Sequence, residues 1–131
     1  MILIEVVKAK EPLQRLTARR FSSYRVLREL VKLRKTVDAE TEFYTEAEKK
    51  AVELYSEKDE NGSPVFLADG RLKLKDVQAK KDFEAEILKL NETPVDGITP
   101  VCIREEDFKS TDDLPTPEEM LLLEGLVVFE D

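Results

Sequence analysis

Histidine and tryptophan are missing from this 131-residue sequence, cysteine occurs once, glycine four times, and aromatic residues make up only 7%. The missing histidine removes the commonest general base and metal ligand, and with it every Ser-His or Cys-His catalytic pair. The lone Cys102 cannot form an internal disulfide, so a reducing, intracellular setting is expected. Set between Val101 and Ile103, it reads as a buried structural thiol rather than a nucleophile. Gly62, Gly70, Gly97 and Gly125 are scattered and build no phosphate-cradling loop. No apolar run approaches the ~20 residues that cross a bilayer. The opening MILIEVVKAK lacks the early positive charge and the cleavage site of a signal peptide.

Charge is what the sequence has in abundance. Lys and Arg number 21 and Asp and Glu 29, a net −8, beside a hydrophobic content of 41%. That is enough for one modest core, so residues 1–131 are expected to form a single domain. The acidic balance disfavours non-specific binding to nucleic acid or an anionic membrane.

The chain is organised around the run from Pro12 to Lys58, which contains no glycine and no proline after its first residue. Leu13, Leu16, Tyr24, Leu27, Leu30, Val31, Val37, Tyr44, Ala47, Ala51 and Leu54 recur mostly at three- and four-residue spacings, one side of a helix. Pro12 suits a first helical position, where its missing N–H is no loss. Residues 15–35 carry eight basic side chains against Glu29 alone, and residues 38–60 invert this with nine acidic against three basic. The change falls at Thr36-Val37-Asp38, where one helix of about 45 residues or two stacked helices are both compatible with the pattern.

Around this run, Met1–Val7 is apolar and β-branched and reads as a strand. Asp59-Glu60-Asn61-Gly62-Ser63-Pro64 ends the helix. Asp69-Gly70 between two short apolar-bearing runs predicts a β-hairpin over 64–75 with a type I′ turn. Asp76 caps a second helix, 77–90, with Val77, Phe83, Ile87 and Leu90 on one face, packing antiparallel on the first through Ala51 and Leu54. Pro94, Gly97 and Pro100 mark a linker, and Val101–Ile103 a short strand. Thr116-Pro117-Glu118-Glu119 is a capping box for a helix through Glu124, and Leu126–Phe129 a closing strand. The fold class is therefore α+β: a long N-terminal helix and a shorter antiparallel one joined by a β-hairpin, with a small sheet formed by the termini. Residues 1–91 make the helical and β-hairpin part, and 92–131 an acidic C-terminal segment.

Candidate chemistry is sparse. Glu46 with Glu53, or Glu105, Glu106 and Asp107, lack the ligand spacings of a metal site. Residues 59–70 place Gly62 fourth where a calcium loop needs it sixth. No catalytic residue, cofactor or metal is assigned. The basic segment 15–35 could track phosphates, with Phe21 and Tyr24 nearby. Residues 101–131, with ten acidic side chains against Arg104 and Lys109, offer it a partner within the chain or in a second copy. A helix of about 45 residues would also leave Leu16, Tyr24, Leu27, Leu30 and Val31 as an apolar stripe unless another copy covers it. Self-association is expected on that ground, with Arg20, Tyr24, Leu27, Arg28, Val31 and Arg34 as the interaction residues.

The order of these segments resembles small proteins of tailed bacteriophages and prophages. The likeness rests on Arg15-Leu16-Thr17-Ala18-Arg19-Arg20-Phe21-Ser22 opening a charged helix, and on Leu54-Tyr55-Ser56-Glu57 before the Asp59-Glu60-Asn61-Gly62 turn. Phe83, Glu86 and Leu90 in the next helix and Leu114 through Glu124 near the end complete it. That resemblance implies an accessory or structural-assembly role in the bacterial host cytoplasm or on the virion, and carries no catalytic residues. The leading expectation is a non-enzymatic protein that binds further copies of itself, or another phage or host protein. An acidic inhibitor of a host nucleic-acid-binding protein, or a nucleic-acid-binding module using 15–35, are the alternatives. An enzyme is the least supported class, and no membrane role is expected.

Overall fold

The computed structural model describes residues 1–130, and its architecture is α+β. The first segment corrects the sequence reading. Leu3–Lys8 is a helix (α1), not a strand, and Lys10–Thr17 (α2) follows it after Ala9. The reason is visible in spacing: Leu3, Val6, Ala9, Leu13 and Leu16 are all buried, at helical intervals of three and four. Glu5, which interrupts the supposed strand, accepts the Ile2 N–H at 3.2 Å and so helps start the helix. Pro12 stands third in α2, within the turn whose N–H groups have no intrahelical acceptor.

The long helix α3 spans Tyr24–Tyr55, 32 residues and about 48 Å at 1.5 Å per residue. Its sequence runs unbroken through Thr36-Val37-Asp38; the break lies earlier, over residues 18–23. Distant partners stabilise that break. The N–H groups of Ser22 and Ser23 donate to the Asp107 carbonyl at 2.8 and 3.3 Å, and Phe21 stacks on Phe108 with ring centroids 4.9 Å apart. The Ser23 hydroxyl then accepts the Val26 N–H at 3.4 Å, capping α3.

After α3 the chain forms a ribbon of isolated bridges, Ser56 with Leu74, Lys58 with Pro64 and Phe66 with Leu72, which contains the expected hairpin. Its turn differs from expectation. No non-glycine residue among the described residues has a positive φ, so Asp69 is ordinary and in this turn only Gly70, at φ +88, is left-handed. The Gly70 N–H reaches the Leu67 carbonyl and the Leu67 N–H the Arg71 carbonyl, a type I turn closed by a glycine rather than type I′.

Helix α4 spans Val77–Asn91, and the Asp76 carboxylate accepts the Ala79 N–H at 2.7 Å as its cap. Against α3, Tyr55 meets Phe83 edge-on at 6.4 Å and donates to Glu86 at 3.1 Å, while Tyr44 donates to Asn91 at 2.7 Å. Val77 and Leu54, expected in this contact, are exposed instead; Ala51 and Ala79 are the buried residues of the pair.

The sheet has two strands, β1 (Val101–Arg104) and β2 (Val127–Glu130), paired in parallel with Val101 opposite Val127. The N-terminus contributes no strand to it; Ile2 instead forms an isolated bridge with Pro94, away from the sheet. A parallel pair needs a crossover. Here it is filled by two short 3-10 turns and α5 (Pro117–Leu122), which the Thr116 hydroxyl caps by accepting the Glu119 N–H. The Glu119 carboxylate does not return to the Thr116 backbone as a capping box requires; it turns to Arg19. The core gathers Leu13 and Leu16 of α2, Val26 and Leu30 of α3, Ile103, Leu123 and Val127. It ends on α3 at Val37, and the rest of α3 packs with α4 and the ribbon.

Candidate interaction surfaces

The six residues expected to mediate interaction fall into two groups. Arg20, Leu27 and Arg34 are committed within the chain. Arg20 donates to Asp113 through both its backbone N–H (3.3 Å) and its side-chain Nε (3.2 Å). Leu27 lies half-buried on the core. Arg34 donates to the Thr17 hydroxyl at 3.3 Å and faces Asp38 at 3.8 Å. Tyr24, Arg28 and Val31, by contrast, lie on the outer side of α3, Tyr24 79% exposed.

The premise of an uncovered apolar stripe is corrected at the same time. Leu16 and Leu30 are fully buried within this one chain, because α1, α2 and the sheet cover the first half of α3. Only Tyr24 and Val31 of the supposed stripe stay in water.

The acidic C-terminal segment does supply partners for the basic one. Glu119, itself buried, takes Arg19 at 3.0 Å, and Asp113 takes Arg20. The hydrogen bond from Arg20 holds the Asp113 carboxyl below its ordinary 3.8, helped by the Ser110 hydroxyl and opposed by burial. Asp131, one of the ten acidic residues counted in this segment, lies outside the described residues.

What remains of the basic segment forms an exposed stripe. Tyr24, Arg28, Val31, Lys35, Glu42 and Glu46 follow at spacings of four, three, four, seven and four, all exposed. Its first half is cationic and its second half anionic. Arg28 and Lys35 have no ion-pair partner within 4.0 Å among the described residues.

A second surface was not expected at all. A groove of about 850 Å³ opens between α3 and the stretch 97–104. Arg25, Glu29, Lys32, Leu33 and Thr36 form its helical wall. Cys102 lines the other side and is exposed, which corrects its reading as a buried thiol. The strand alternates Val101 and Ile103 inward with Cys102 and Arg104 outward. That period of two was readable in the sequence, since a strand with one face on the core and the other in water buries only alternate side chains.

The backbone repeats the pattern. The Val101 N–H donates to the Leu126 carbonyl, so the amide groups of Cys102 point away from β2. The Arg104 N–H on that same edge is taken by Asp107 at 2.8 Å. Before the strand, the N–H groups of Gly97, Ile98 and Thr99 reach no acceptor among the described residues.

Among the described residues no group of three or more Cys, Asp or Glu side chains is placed to hold a metal, and no helix is long and apolar enough to cross a membrane. No protein-family model, curated protein or solved structure matches the chain.

Proposed function

We propose that this protein is a non-enzymatic assembly component that associates with copies of itself through the exposed stripe of α3. The observation that carries the reading is the charge inversion along that stripe, Arg28 and Lys35 against Glu42 and Glu46, on one 32-residue helix. Two such helices laid antiparallel bring the cations of each onto the anions of the other, while Tyr24 and Val31 lose water between them. Because α1, α2, the first half of α3 and the sheet share one core within the chain, association here adds to a finished fold instead of completing one. The resemblance to small phage and prophage proteins fits this role, in the host cytoplasm or on the virion. It extends to partners from the phage or its host.

Light scattering at micromolar concentration in dilute and in concentrated salt tests the proposal. A dimer or larger species that weakens with salt is expected, as screening removes exposed pairs. Glu42→Lys with Glu46→Lys should give a monomer, and mixing it with Arg28→Glu with Lys35→Glu should restore association. A monomer mass for the parent protein in both buffers overturns the reading.

A further inference from the structure

The groove beside β1 shares no residue with the outer stripe of α3 and is independent of whether copies pair there. Three features converge there. The first is a strand edge left open: the N–H and C=O of Cys102 face away from β2, and Pro100, just before the strand, has no N–H to leave unpaired on that edge. The second is a helical wall running alongside. Its lining residues extend from Arg25 to Thr36, about 16 Å of helix axis, which matches roughly five residues of extended chain at ~3.3 Å each. The third is charge. Arg25 is paired with Glu29, and Arg104 lies between Glu106 and Glu130, so both arginines of the groove are already neutralised and its end at Glu106, Asp107 and Glu130 is left acidic. Lys32, midway along the helical wall, has no ion-pair partner within 4.0 Å among the described residues.

We propose that this groove binds an extended peptide segment of a partner protein by strand addition to the free edge of β1, with a carboxylate side chain of the peptide on Lys32. Main-chain hydrogen bonds to Cys102 supply affinity that is indifferent to sequence, and Lys32 supplies the selection. The acidic residue belongs on the Lys32 side of the groove, because Glu106, Asp107 and Glu130 crowd the other end and repel it. A second copy of this chain fits less well. Edge-to-edge pairing about a two-fold axis sets the same α3 wall, Arg25 and Lys32 included, against itself.

The probes are capped heptapeptides of alternating Thr and Val with Glu or Lys at the central position, titrated into the full-length protein while backbone amide resonances are followed. The Glu peptide should shift the amides of Gly97, Thr99 and Cys102 and those of α3 from Arg25 to Thr36. It should bind about fivefold more tightly than the Lys peptide, the size of one partly exposed ion pair. Lys32→Glu, on an exposed helical position that the fold does not need, should reverse that order. N-methylation of the peptide at alternate residues should abolish binding in one parity and spare it in the other, which separates strand addition from side-chain contact. The proposal is overturned if no peptide perturbs 97–104 at millimolar concentration, if both methylation parities behave alike, or if Lys32→Glu leaves the order unchanged. The same amides shifting on simple concentration of the protein, without peptide, would assign the edge to a second copy and overturn it too.

Discussion

Leu30→Ala tests whether α3 is covered by its own chain. Leu30 is 0% exposed, and it packs in a cluster with Leu13, Leu16, Ile103 and Leu123, all from elements of the same chain. Truncating a leucine at such a site removes its transfer free energy and leaves a cavity, together about 3 kcal/mol. Unfolding entropy for 131 residues is about 0.28 kcal/mol/K, so the melting temperature should fall by roughly 11 °C. The neighbouring Val31 is 40% exposed on the outer stripe, and Val31→Ala should cost under about 1 kcal/mol. Urea unfolding followed by circular dichroism at about 1 μM and about 100 μM protein gives both differences, and separates folding from association by mass action. The Leu30→Ala loss should be the same at the two concentrations. A loss below about 1 kcal/mol, or one that appears only where copies associate, would show that the stripe is completed by another chain and refute the single-chain core.

Two further outcomes follow from the site geometry. Asp113 has its carboxyl held below the ordinary 3.8 by Arg20, so its contribution is present above that value and is lost as pH falls through the depressed one. Asp113→Asn should therefore be less stable than the parent near neutrality, with the two urea midpoints converging below pH 3.8; a gap constant across pH would remove the Arg20 pairing as its cause. Ser56, at the end of α3, is fully buried and its hydroxyl reaches no partner among the described residues. Ser56→Ala should be neutral or stabilising by up to about 1 kcal/mol in the same urea measurement, and a clear destabilisation would mean that the hydroxyl is satisfied in solution.

Features whose hydrogen bonds close within a few residues were legible in the order of amino acids. Asp76 caps α4, Thr116 caps α5 and Gly70 closes a turn because donor and acceptor are neighbours in the chain, so residue type alone is informative. The charge inversion along α3 was equally legible, since helical periodicity converts spacing directly into a face. The N-terminal helix was legible too, in the spacing of Leu3, Val6 and Ala9. A short β-branched apolar run, however, suits strand and helix alike until its burial is known. Only tertiary structure could place the break in the basic segment. Ser22 and Ser23 spend their N–H groups on Asp107, and Phe21 stacks on Phe108, partners more than eighty residues away that no local pattern announces. Tertiary structure likewise decided that β1 pairs with β2 in parallel and leaves its other edge open. Strand pairing is a non-local choice, fixed by which faces the core can bury, and here the buried Val101, Ile103 and Val127 fixed it. The groove, Lys32 within it, and the exposure of Cys102 all descend from that choice.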